Sequence, residues 1–190
     1  MTSNNFEKDL NESNKTISFI SSWLLNEGLM NSIEQRQPCE ECLHPPDIII
    51  HQDETIYLEV KEDAMSMKTG NIFLEHAALK GFSVTCNKEK AIPFLCVIPY
   101  INPIPLLFIL CDEFRQELQL GLREGIVKTV SGGDKGGLGY IINVNEARNF
   151  ACCLTTSILK DSQIQDFKEQ FIQERFNSDN HFFLRYANFQ

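Results

Sequence analysis

The chain has 190 residues, 43% of them hydrophobic, and a formal net charge of −9. That is enough length and apolar content for one domain spanning residues 1–190, while the acidic balance argues against a protein that coats polyanions, because phosphate contacts come from Lys and Arg. No apolar run reaches the ~18 residues of a membrane span, the first residues lack a basic region followed by an apolar one, and the odd count of seven cysteines reads as buried thiols in a reducing compartment, so a cytoplasmic protein is expected.

Residues 1–14 are polar and Asn-rich and read as a flexible N-terminus. A helix is predicted over 15–29, with Ile17, Ile20, Leu24 and Leu25 on one face, Trp23 near it, and Gly28 closing it. A first strand is expected within 31–37. The following loop carries Cys39, Cys42 and His44, a spacing that suits half a zinc site. A full site needs four ligands and no second C-x-x-C exists, so a proline-bounded loop with incidental cysteines is the competing reading.

The rest of the chain is organised around residues 46–61, Pro46-Asp47-Ile48-Ile49-Ile50-His51-Gln52-Asp53-Glu54-Thr55-Ile56-Tyr57-Leu58-Glu59-Val60-Lys61. Two β-branched runs flank the polar loop Gln52-Asp53-Glu54, which predicts a hairpin. Folded about Asp53, it sets Ile50 opposite Ile56, Ile49 opposite Tyr57, Ile48 opposite Leu58 and Asp47 opposite Glu59. Alternation along the strands puts Asp47, Ile49, Tyr57, Glu59 and Lys61 on one face and an aliphatic set on the other. Directly opposed residues lie about 4.5–5.5 Å apart at Cβ, so two carboxylates would sit side by side with an ammonium further along the same face. Like charges so placed destabilise a sheet unless something neutralises them, and a divalent cation held by oxygen ligands would do so.

Pro46-Asp47, then eleven residues, then Glu59-Val60-Lys61, resembles the signature of the PD-(D/E)XK nuclease superfamily. Lys68-Thr69-Gly70-Asn71-Ile72-Phe73-Leu74-Glu75 is similar to a segment that follows it in some small members. The resemblance covers residues 24–109. It implies a restriction-endonuclease-like α/β fold, a mixed central sheet with helices on both faces. It also implies a Mg²⁺- or Mn²⁺-dependent nuclease acting on nucleic acid, DNA before RNA, with a homodimer if both strands are cut. Asp47, Glu59 and the Val60 carbonyl would hold the metal, and Lys61 would position the attacking water or the transition-state phosphate. Glu75 is either a further site acid, or a holder of Lys61, or a solvated carboxylate. Members of the family often place a glutamate on the first helix near the metal; Glu12 and Glu27 are the candidates here.

Downstream, residues 62–68 read as a charged connector and 72–79 as a short helix or strand. Strands are expected over 82–86, 94–99 and 106–110, with a polar turn at 87–90. A helix is expected over 112–123, capped by Asp112 and weakened at its end by Gly121. Arg115, Arg123 and Lys128 are candidates for a phosphate track or a solvated face. Residues 131–139, rich in glycine, match no Walker A loop or dinucleotide fingerprint and read as a hairpin connection or a DNA-facing loop. A last clear helix is expected over 161–176, striped by Ile164, Phe167, Phe171 and Phe176, and the aromatic tail after it should dock on the domain or meet a second copy. The readings that compete with a nuclease are a scaffold retaining the fold and a zinc adaptor built on Cys39, Cys42 and His44.

Overall fold

The computed structural model describes residues 3–29, 33–35, 45–132 and 137–187. Its first helix, α1, spans Ser3–Asn26 and so takes in most of the segment expected to be flexible. The polar residues there have tertiary partners: Glu12 Oε2 lies 2.8 Å from Arg175 Nη2, and Asp9 pairs with His181 and Arg185. Phe19, Ile20, Trp23 and Leu24 form the buried stripe, whereas Leu25 is exposed. Gly28, at φ 64°, reverses the chain after the last turn.

Strand β1 (Ile33–Gln35) pairs antiparallel with β2 (Ile48–His51), which pairs antiparallel with β3 (Thr55–Asp63). The β2–β3 register is the expected one: Ile48 faces Leu58, Ile49 faces Tyr57 and Ile50 faces Ile56. Cys39, Cys42 and His44 lie outside the described residues. Strand β3 runs on through Glu62 and Asp63, where a connector was expected. It is followed by α2 (Ser66–Thr69) and β4 (Asn71–Glu75).

Helix α3 (His76–Glu89) replaces the strand expected at 82–86. Phe82 and Cys86, four apart, are both buried while Val84 between them is exposed, which is helical and not alternating burial. The Ser83 and Thr85 hydroxyls donate back to the carbonyls of Leu79 and Gly81, so they satisfy themselves inside the helix. The polar residues after them are its last turn, closed by Lys90 in a left-handed conformation.

Strand β5 (Ile92–Pro99) lies parallel to β3 and antiparallel to β6 (Leu106–Ile109). Helix α4 (Asp112–Glu124) starts with Cys111 in the cap position in place of Asp112. The helix runs past Gly121 to Glu124. A Cβ at Gly121 would come within 2.5 Å of Val127 Cγ2, so the missing side chain lets the next strand pack close. Of the glycine-rich segment, Ser131 and Gly132 end β7 (Val127–Gly132) and Gly137, Leu138 and Gly139 open β8 (Gly137–Asn143), which pairs antiparallel with it; residues 133–136 lie outside the described residues. After α5 (Val144–Arg148) and α6 (Thr155–Ile158) come α7 (Asp161–Arg175) and α8 (His181–Ala187). The aromatic tail docks on the chain itself, with Phe183 stacked on Phe176 at 4.9 Å.

The result is a mixed five-stranded sheet, β1-β2-β3-β5-β6, and an antiparallel three-stranded sheet, β4-β8-β7. Both faces of the large sheet are buried. Ile48, Ile50, Leu58 and Cys96 pack with α1 and α7 through Phe19, Trp23, Phe167 and Phe171. Ile49, Tyr57, Leu95 and Val97 pack with α3, α4 and the small sheet through Phe82, Phe114, Leu118 and Ile72. This is the α/β architecture expected, a mixed central sheet between helical layers. No helix among the described residues is long and apolar enough to cross a membrane.

Candidate active site

The site forms where β2 and β3 part. The ladder holds through Ile48 and Leu58. One residue before it, the Asp47 N–H donates to the Leu58 carbonyl at 3.1 Å. The Val60 N–H in turn donates to Asp47 Oδ2 at 2.7 Å. The Asp47 carboxylate is therefore folded onto the Glu59–Val60 peptide. Glu59 and Lys61 pair in register with Leu95 and Val97 of β5, which places both on the face of β3 that looks toward α3 and the small sheet.

Asp63 continues the same face and reaches across to the next element. Its Oδ2 accepts the Phe73 N–H at 2.7 Å and its Oδ1 the Ser66 N–H at 3.2 Å, so it pins α2 and β4 to the end of β3. Phe73 is thereby set beside Lys61, whose Nζ lies 5.1 Å from the ring centroid, a cation–π distance. The ring in turn fits against Gly139 of β8. A Cβ at Gly139 would lie 2.1 Å from Phe73 Cε2, so only glycine leaves room for it. Glu75, at the end of β4, lines a small cavity of about 40 Å³ together with Glu59, Lys61, Leu79 and Leu110.

Burial in this face disfavours the charges of Asp47, Glu59, Lys61 and Asp63. Desolvation pushes the Asp47 carboxyl up to about 6 against the pull of the Val60 N–H. Glu59 is pushed up to about 8, by burial first and then by the negative charge of Asp47, and the only influence drawing it down is Lys61. Burial lowers Lys61, while Asp63, Glu75 and Glu59 each favour its charged form. The group thus contains more buried carboxyl groups than its one lysine can balance in their ionised forms. Among the described residues no three His, Cys, Asp or Glu side chains form a ready-made metal cage. The donor set is a pair of carboxylates, which suits a hard cation completed by water and substrate oxygens.

Asp47, Glu59, Lys61 and Glu75 are therefore gathered in one place. The two helix glutamates are not among them. Glu12 lies across the sheet in a buried cluster in which Arg175 Nε is 3.2 Å from Glu62 Oε1, and the Tyr100 hydroxyl also donates to Glu62. Glu27 accepts from Gln163. Arg115 pairs with Asp112 at 3.0 Å, and Arg123 and Lys128 are exposed. Asp63, Phe73 and Gly139 were not anticipated. The alternation through Glu59 and Lys61, carried two residues further, points at Asp63; nothing in the sequence ties Phe73 to Gly139.

No protein-family model matches the chain, and no curated protein does. Among solved structures the chain is similar to Archaeoglobus fulgidus Hjc, a Holliday junction resolvase from an archaeal hyperthermophile. The TM-score is 0.46 at 8% identity, over 74% of this chain and 93% of that one. It is also similar to D212, a nuclease from a fusselovirus, with a TM-score of 0.42 at 13% identity, over 90% of this chain and 97% of that one.

Proposed function

We propose that the chain is a metal-dependent nuclease of the PD-(D/E)XK kind that hydrolyses a phosphodiester bond, acting on DNA. The observation that carries this reading is the desolvated Asp47 carboxylate folded onto β3 beside the desolvated Glu59, whose only charge partner of opposite sign among the described residues is Lys61. An arrangement so unfavourable by itself becomes favourable around a cation. Asp47, Glu59 and the Val60 carbonyl would hold Mg²⁺ or Mn²⁺, which would supply a lowered pKa for a coordinated water and neutralisation of phosphate charge. Lys61, set beside the Phe73 ring, would present its ammonium to the attacking water or to the phosphate oxygen on which charge develops. Glu75 would keep that ammonium protonated. Surrounding apolar residues such as Leu79, Phe82 and Leu95 would limit bulk water and strengthen each of these interactions.

The test is cleavage with Mg²⁺ or Mn²⁺ of plasmid, linear duplex, branched and single-stranded DNA, and RNA, by wild type, Glu59→Ala and Lys61→Ala. Metal-dependent cleavage lost in both variants is expected. A wild type that cuts none of them, and whose melting temperature no metal raises, would refute the reading and leave a scaffold that retains the fold. Cleavage confined to RNA would move the substrate and keep the site.

A further inference from the structure

Beside the carboxylates lies a second feature that the chemistry above does not use. A groove of about 430 Å³ runs between α3 and α4. It shares Leu79 and Leu110 with the small cavity of Glu59 and Lys61, so the two are neighbours. The groove's floor is apolar and aromatic, built from Leu110, Phe114, Leu118 and Tyr140, with the His76 ring edge-on to Tyr140 at 5.9 Å. Its lining includes Lys80 and Arg115 and, among the described residues, no carboxylate; Asp112 lies just outside it on Arg115. In a chain of net charge −9, a concavity whose two charged lining side chains are both cations favours an anionic occupant. Arg115 is held by Asp112, but both side chains are more than half exposed, so a phosphate can compete for the guanidinium.

Resting on the nuclease reading, we propose that this groove takes one unpaired nucleotide next to the scissile phosphate, with its base between α3 and α4 and its phosphate at Lys80 and Arg115. The volume is at the lower end of those that enclose small ligands, roughly 300–1,000 Å³, and suits a single nucleotide. A base inside a duplex has both its faces covered by neighbours and cannot enter until it is unstacked. The substrate class that follows is a strand end, a branch or a single strand, before uninterrupted duplex. An apolar helix from a partner protein would also find the floor congenial, but it would leave the two cations without a role.

The experiment is fluorescence anisotropy in EDTA with a labelled single-stranded DNA hexamer and an abasic hexamer of equal charge. Wild type should bind the hexamer with bases about tenfold or more tightly, the scale of stacking one base on a protein surface. Val84→Trp, at a position 59% exposed on the groove wall, should erase that preference without lowering the melting temperature. Asn87→Trp, also on the wall and exposed, repeats the test should the first variant misfold. Equal binding of both hexamers by wild type, or a preference that survives both tryptophans in folded protein, overturns the proposal. Cleavage of the hexamer joined to a duplex is scored separately with Mn²⁺. A base preference without cleavage supports the groove and counts against the nuclease reading, whereas cleavage with equal binding refutes the groove alone.

Discussion

Replacing Glu59 by glutamine should make the metal-free protein more stable, and the gain should depend on pH. Burial and the Asp47 charge carry the Glu59 carboxyl from 4.5 to about 8. Between those values the folded chain holds a proton that the unfolded chain has released, so stability falls as pH rises through this window. At pH 7 the accumulated loss is roughly 3 kcal/mol, taking 1.36 kcal/mol for each pH unit travelled. At pH 5 it is under about 1 kcal/mol. Glutamine has the same shape and no proton to lose. For a chain of this length, melting should therefore rise by about 5–10 °C at pH 7 and hardly change at pH 5. Mn²⁺ should raise the wild-type melting temperature, more so at pH 8 than at pH 6 because the cation must displace the proton, and should leave Glu59→Gln unmoved. Thermal unfolding at four pH values, with EDTA or Mn²⁺, measures all of this. A glutamine variant that melts below wild type at pH 8, or by the same offset at every pH, would refute the argument.

Three further substitutions separate the parts of the site. Asp63→Asn leaves one of the two backbone donors, Phe73 N–H or Ser66 N–H, poorly matched; a loss of about 1–3 kcal/mol in chemical denaturation should accompany reduced cleavage, since Phe73 no longer fixes Lys61. Gly139→Ala drives a methyl into the Phe73 ring; it should destabilise by about 1–3 kcal/mol and lower kcat with little change in metal affinity, read by steady-state kinetics and a metal titration. Arg175→Met strands the Glu12 and Glu62 carboxylates on the opposite face; denaturation should show a loss of about 3–5 kcal/mol, with cleavage per folded molecule unchanged below the melting temperature.

The hairpin was legible because two independent constraints agree there. A loop of fixed length sets the pairing, and a period of two assigns the faces, so Asp47, Glu59 and Lys61 could be set together from their numbers alone. The segment Phe82-Ser83-Val84-Thr85-Cys86 was not legible in that way. It alternates, but its apolar residues also lie four apart, and what decides for helix is tertiary cover over Phe82 and Cys86 together with hydroxyls bonded within the turn. Glu62 and Asp63 read as connector for a similar reason. Their partners are Arg175, 113 residues away, and the backbone N–H groups of Ser66 and Phe73, and backbone donors leave no trace in side-chain patterns. Residues 3–14 were misread because a polar segment looks the same whether water or a distant arginine satisfies it.

Strand β3 is a wall shared by two rooms. Tyr57, Glu59, Lys61 and Asp63 look one way, Leu58, Val60 and Glu62 the other. Removing a single residue from its middle would switch the face of every residue after it, sending Glu62 toward the candidate site and setting Asp63 against Arg175. Descendants of this sequence can therefore lengthen or shorten the exposed 52–54 loop, but between Ile56 and Asp63 they can drift only by substitution, never by a change in length of one.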